Sequence, residues 1–308
     1  MGKSRSFRFA GAAGVMALAL TTAAGCGGPA GRDTAPPPQV YKDWVTETRR
    51  KADKAPAATT SGPAASYDGW GTLTGTVIFT GSAPRPRVID QARQDNYCST
   101  LRELPTNEDL LVGPEGGLIN AVAYVNTRGV PVHERYETAE EKNKEVVLDN
   151  RGCRFEPHIC LLRTTQPLRV KNSDGTTHNT QYTSVVQFFN ENIGSGSSVL
   201  KQLTKEERAP TVYKCDIHKW MSGYLVLRAH PYMAKTGENG AFELKDLPAG
   251  APLEIQLWHE RAPTGLSGTV DRVEPEGTPV KLDNRGRLSV TIPKDGNVSF
   301  RVTVSFGG

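Results

Sequence analysis

The sequence predicts an all-β protein, and three observations predict it. Gly and Pro are abundant, with 31 and 21 copies in 308 residues, while aromatics are few. Roughly a dozen short β-branched or alternating runs are each bounded by turn-forming residues. Long apolar runs with helical periodicity are missing, so helices are not the main buried elements. The length suggests two compact units rather than one. The net charge of +4 is modest, and no Lys/Arg cluster interleaved with aromatics stands in the β-rich part. That argues against a nucleic-acid partner.

The N-terminus opens on a basic stretch, "MGKSRSFRF", followed by the small, apolar "AGAAGVMALALTTAAGC" that ends at Cys26. This pattern reads as an export signal over 1–26. "TTAAGC" resembles a bacterial lipobox, although Ala23 stands where Leu is usual. The resemblance implies an acylated Cys26 and a membrane-anchored protein in the periplasm or cell envelope; plain secretion is the alternative. Residues 27–68 are rich in Pro, Ala, Thr, Ser and charge. Such a segment buries too little apolar surface to offset its ordering entropy, so a tether is expected. Its span would average roughly 35 Å.

From Gly69 the pattern becomes β. "GWGTLTGTVIFTG" alternates, and "GGLINAVAYVN" ends in a second strand. "HERYETAEEKN" (133–143) is the one helix candidate, charged throughout and therefore a surface excursion. "KEVVLDN", "HICLLR", "PLRVKN", "TVYKC" and "GYLVLRA" follow as short strands. "GAFELKDL", "LEIQLWHE", "PVKLDN", "RLSVTIP" and "VSFRVTVSF" complete the set. So many short strands with frequent turns suggest sandwiches.

Chemistry concentrates in "VYKCDIHKWM", where Cys215, His218 and Met221 share one tight turn. Thiolate, imidazole and thioether together suit copper: two His and a Cys in a trigonal plane with a weak axial Met make an electron-transfer site. The incoming strand puts Thr211, Tyr213 and Cys215 on one face, so a strand end aims the sulfur. The second imidazole must come from elsewhere, and His178, after "PLRVKN" and a Ser-Asp-Gly turn, can supply it. Asn179 beside it can brace the ligand loop from behind. Half of a structural zinc site is an alternative without an evident partner pair. A Cys/His nucleophile is another, but it leaves Met221 and His178 without a role.

"FEPHICLLRTTQPLRVKNSDGTTHN…VYKCDIHKWM" resembles the plastocyanin/amicyanin branch of the cupredoxins over roughly residues 144–230. The resemblance implies a Greek-key β-sandwich binding one type 1 copper ion. It makes His178, Cys215 and His218 the equatorial ligands and Met221 the axial one. It also implies one-electron transfer rather than enzymatic turnover. Partners would be redox proteins such as c-type cytochromes or a copper oxidase. His218, rimmed by Trp220 and Met221, would be the surface port for electrons. The sequence departs from the family at His158 and Cys160, where apolar residues are usual. His158 is expected behind the ligands in a supporting role, and Cys160 as a small buried hydrophobe.

With Cys26 and Cys215 assigned, Cys98, Cys153 and Cys160 remain. An exported protein should hold one disulfide. Cys98 and Cys153 both lie beside turn-rich sequence and are the expected pair, because Cys153 and Cys160 point to opposite faces of one extended stretch. "GTLTGTVIFTG" and "TGENGAFELKDLPAGAPLEIQLWHE" resemble a carboxypeptidase regulatory-like (transthyretin-like) β-sandwich. This implies a second sandwich formed by 69–143 and 231–308, with the copper domain (144–230) inserted between them. An oxidase or nitrite-reductase-like enzyme would need a second centre rich in His, and the chain has only six His and no His-x-His pair. An envelope-binding or structural lipoprotein, and a copper store or chaperone, remain as alternatives to the electron carrier.

Overall fold

The computed structural model describes residues 66–274 and 280–306. The expected export signal, Cys26 and nearly all of the tether lie outside the described residues. No helix among the described residues is long and apolar enough to cross a membrane.

The fold is all-β and holds four sheets. The first sandwich joins the two ends of the described chain. One of its sheets runs β13 (Ala241–Ala249), β1 (Gly69–Phe79), β18 (Asn297–Val304), β15 (Gly268–Glu274), β16 (Val280–Lys281). Here β1 pairs antiparallel with β13 and parallel with β18. Alternation along β1 turns Leu73, Val77 and Phe79 inward, as the period of two requires. Gly75 is the bare step in that row: a Cβ there would come within 2.4 Å of the Phe242 ring that crosses it. The facing sheet runs β12 (Met233–Lys235), β2 (Val122–Val125), β14 (Pro252–Trp258), β17 (Arg287–Thr291). It contributes Ala123, Val125, Ile255 and Leu288 to the shared core.

The second sandwich is built from the stretch between β2 and β12. One sheet runs β5 (Ile159–Arg163), β11 (Ser222–Arg228), β10 (Thr211–Lys214), β7 (His178–Thr183), β8 (Phe188–Ile193). The other runs β4 (Phe155–Glu156), β3 (Val146–Asn150), β6 (Pro167–Asn172), β9 (Ser198–Gln202). Leu162, Tyr182, Tyr213 and Leu225 from the first meet Leu148, Phe155, Leu168 and Val170 from the second.

A third apolar cluster joins the two sandwiches. Val122, Tyr124 and Trp258 of the first pack on Ile159, Val226 and Tyr224 of the second, with the Tyr224 and Trp258 rings 4.9 Å apart. This explains the unbroken apolar run of β2, which is buried at all four positions: Ala123 and Val125 face one core while Val122 and Tyr124 face the joint. Strands covered on both faces lose their alternation.

The helix expected over 133–143 contracts to α2 (Ala139–Asn143), preceded by a 3₁₀ turn at Glu134–Tyr136. The physical reason is Thr138, whose hydroxyl accepts the Glu141 N–H at 3.2 Å. It caps a new start inside the charged stretch. A second five-residue helix, α1 (Asp90–Gln94), was not foreseen.

Near the joint His230 is buried and neutral. Its Nε2 donates to the Val125 carbonyl at 3.1 Å, and its Nδ1 accepts the Tyr232 N–H at 3.2 Å. Burial, with the charges of Arg228 and Arg163, pushes its pKa down to about 3. The unfolded chain therefore takes up this proton first, and stability falls as pH drops below the ordinary histidine value. Denaturant titrations should show the wild type losing about 2 kcal/mol more than His230→Gln between pH 7 and pH 5. Parallel losses in the two proteins would mean that His230 is not held neutral.

Candidate metal centre

The hairpin between β10 and β11 carries the ligand-type residues. Its strands pair through Lys214 and Ser222, so Cys215 to Met221 close a tight loop. The Cys215 N–H donates to the Met221 carbonyl at 3.0 Å, and the Met221 N–H donates to the His218 carbonyl at 2.8 Å. Strand β11 lies close to its neighbours at this end because residue 223 is glycine. A Cβ there would meet the Tyr213 ring at 2.5 Å and the His158 carbonyl at 2.6 Å.

His178, which follows the Ser-Asp-Gly turn, is the first residue of β7. That strand is held between β8 and β10. It brings the imidazole to the Cys215 sulfur. One donor atom each from His178, Cys215 and His218 lie within 4.8 Å of one another, and all three residues are buried. The two rings are 4.5 Å apart by centroid. The His218 Nδ1 stands 3.8 Å from Cys215 Sγ, and the His178 Nδ1 is buried without a hydrogen-bond partner.

Each far nitrogen has a carboxylate behind it. The His178 Nε2 is 2.9 Å from Asp174 Oδ2, and the His218 Nε2 is 3.4 Å from Asp95 Oδ2. A carboxylate on one ring nitrogen fixes the tautomer and leaves the lone pair of the other free for a metal. The carboxylates are themselves anchored. Asp174 accepts the Gly152 and Cys153 N–H groups at 2.7 and 2.8 Å, and Asp95 accepts those of Tyr97 and Cys98 at 2.9 and 2.8 Å. For both carboxyls burial works upward, but these hydrogen bonds and the facing imidazole hold the pKa below the usual range. Neither aspartate was singled out in the sequence. Asp174, four residues before His178 in "NSDGTTHN", carried the only readable signal.

The sulfur sits in a field that favours thiolate. It accepts N–H groups from Asn179 at 3.3 Å and His218 at 3.2 Å. Burial works upward, yet the two facing imidazoles and these amides pull the Cys215 pKa down to about 6. The group is thus poised to act as a soft thiolate donor beside the two rings. Asn179 also ties the loop: its Oδ1 accepts the Asp216 N–H at 3.2 Å, and its Nδ2 reaches Asn190 and Asn192. Met221 is buried in the same core cluster as Cys215.

Two expectations are corrected. His218 is only 2 % exposed and Met221 only 1 %, so neither forms a surface port. The segment Ile89–Leu101 covers them. It comprises α1 and a 3₁₀ turn at Cys98–Thr100, and a disulfide from Cys98 to Cys153 staples it down. The half-buried Trp220 stacks edge-on to His218 at 5.2 Å and donates its indole N–H to the Cys153 carbonyl. His158 does not stand behind the three donors. Its Nε2 bonds Glu260 at 2.6 Å and its Nδ1 faces Glu108 at 3.7 Å, because β5, which begins at the next residue, lies on the far side of β11 from β10 and β7. Cys160 is a free, fully buried thiol whose pKa burial pushes up to about 12, which leaves it inert.

No protein-family model matches the chain, and no curated protein matches it. Among solved structures it is similar in part to a Cu-containing nitrite reductase from Thermus scotoductus SA-01, at 21 % identity over 27 % of this chain and 22 % of that one, with a TM-score of 0.25. The chain thus matches about a fifth of that reductase's length. A purple cupredoxin from Nitrosopumilus maritimus matches at 19 % identity, over 27 % of this chain and 97 % of its own, with a TM-score of 0.24. An oxidised amicyanin variant matches at 16 % identity, over 34 % and 97 %, with a TM-score of 0.25.

Proposed function

We propose that this chain binds one copper ion through His178, Cys215 and His218, with Met221 as a weak fourth donor, and passes single electrons between redox partners. One observation carries the reading. Two buried imidazoles, each braced at Nε2 by a carboxylate, turn Nδ1 toward a thiolate at the end of one sandwich. A soft sulfur with two imidazoles suits both copper oxidation states. Bound copper would supply the one-electron couple. The chain's own residues hold the donors in place through the Asn179, Asp95 and Asp174 contacts, and the cap keeps water from the rings. Zinc would accept the same three donors, but neutralising a thiolate inside a core beside a buried thioether favours copper. In this reading the protein is exported and anchored through Cys26. It meets exported redox proteins, such as c-type cytochromes or a copper oxidase, at the Trp220 side.

The test is an optical and electrochemical titration of the oxidised, copper-loaded protein. An intense visible thiolate-to-copper band and a reversible one-electron wave are expected. Met221→Leu should keep the band and raise the potential, since losing a weak axial donor favours Cu(I). An unchanged potential would exclude Met221 as a donor. Uptake of zinc but not copper would reject the reading as a whole. A copper store or chaperone, the second reading, would have to release its ion past the stapled cap over His218. Fast electron exchange with slow metal release separates the carrier from a store that yields its metal readily.

A further inference from the structure

A second group of ligand-type side chains lies beside the first, across Met221. A cavity of about 100 Å³ is lined by Glu108, Arg154, His158, Glu260 and, from the hairpin, Trp220 and Met221. By volume it has room for an ion with two or three waters. The His158 side chain is 8 % exposed and lines this cavity. Its Nε2 is committed to Glu260 Oε1 at 2.6 Å. Its Nδ1 is buried without a hydrogen-bond partner, although Glu108 Oε2 lies 3.7 Å away and the Ser222 carbonyl faces the same ring.

Hydrogen-bond accounting makes this arrangement unusual. If Glu260 accepts the proton on Nε2, Nδ1 is an acceptor facing a carboxylate oxygen 3.7 Å away. Burying an unpaired acceptor is unfavourable. Transition metals bind imidazole nitrogen and carboxylate oxygen at about 2.0–2.2 Å each. Two donors 3.7 Å apart are therefore at a spacing that one shared ion can bridge. Glu260–His158 then repeats the carboxylate–imidazole brace seen behind His178 and His218. The lining carboxylates are Glu108, Asp109 and Glu260, against one lining guanidinium, Arg154, which stands 3.6 Å from Glu108 Oε1. Asp109 is further tied to Arg261 at 3.0 Å. The excess charge is negative, as a cation requires.

We propose that this cavity is a second metal site, separate from the thiolate centre, which takes a divalent first-row transition ion on His158 Nδ1 and Glu108, with Glu260 positioning the imidazole. Nitrogen and carboxylate oxygen without sulfur select Zn²⁺ or Cu²⁺ over a soft monovalent ion. The site does not depend on what the thiolate centre holds. Its two donors come from the loop before β2 and from the residue just before β5, with the bracing Glu260 two residues past β14, so it also pins the two sandwiches together.

Zinc titration of the full, disulfide-intact chain tests this, with bound metal counted by mass spectrometry and located by anomalous scattering at the zinc edge. Cys215→Ser should still hold a zinc ion, and the anomalous peak should lie at His158 Nδ1. Glu108→Gln, nearly isosteric, should lose that ion while retaining metal at Cys215. Glu260→Gln should weaken the site 10–100-fold, as loss of a supporting carboxylate does. The alternative is a metal-free imidazolium spanning Glu260 and Glu108. If nitrogen NMR at saturating Zn²⁺ finds protons on both His158 nitrogens, or if Glu108→Gln and the wild type hold equal zinc, the proposal is overturned.

Discussion

Cys215→Ser is expected to abolish the visible charge-transfer band of the copper-loaded protein entirely and to leave the metal-free fold standing. The band requires a thiolate, and no other described cysteine can replace it. Cys98 and Cys153 are joined, and Cys160 is a buried thiol held protonated in another part of the sheet. The serine hydroxyl can still accept the Asn179 and His218 N–H groups that now end on sulfur. Unfolding of the metal-free variant should therefore stay within about 1 kcal/mol of wild type. Copper titration followed optically, with circular dichroism as the control, separates the two effects. A band that survives would place the copper elsewhere. A variant that fails to fold would give the sulfur a structural role that its surroundings do not indicate.

The second large effect is expected from Cys98→Ser paired with Cys153→Ser. The disulfide spans 55 residues, and on loop-closure entropy its loss should cost about 4 kcal/mol. The cost should appear locally first. The cap is a five-residue helix and one 3₁₀ turn, with only Ala92 and Cys98 fully buried. Without its staple it lacks the apolar area to stay docked. His218 should then react with a histidine-modifying reagent far faster than in the wild type, and copper should pass to a chelator at least tenfold sooner. Mass mapping of the modified histidine and a chelator time course supply the two readings. Unchanged protection of His218 would mean that Asp95 and Trp220 hold the cap without covalent help.

The all-β class was legible because a period of two survives in strands such as β1 and β13, where one face is buried and one is wet. Strand β7 was not legible. Its sequence, "HNTQYT", is polar, yet His178, Asn179, Thr180 and Tyr182 are buried. Site residues replace the apolar ones that would have announced a strand. At the centre, Cys215 and His218 announced themselves by spacing, and the structure places His178 beside them. The carboxylates did not. Asp95 reaches His218 from 123 positions upstream in the chain numbering, through a segment whose position depends on the disulfide. Nor did the sequence show that His158 would meet Glu260 and Glu108, since that meeting exists only where the two sandwiches abut.

The nesting of one sandwich inside the other also sets a timetable. Strands β3 to β11 follow one another without interruption, so the sandwich with the thiolate has every strand it needs once Arg228 has been made. Its host does not. Strand β1 pairs Thr72 with Asn297 and Gly75 with Phe300, so its first strand waits for the last. Non-local pairing of this kind is slow and leaves strand edges open in the meantime. The inner unit should therefore close early and the outer one late, with β1 and β2 the segments most in need of a chaperone while the chain is being made. A chain cut short before β18 would keep a complete ligand hairpin but leave a permanently unpaired edge on β1, and aggregation rather than loss of the metal centre is the failure to expect from it.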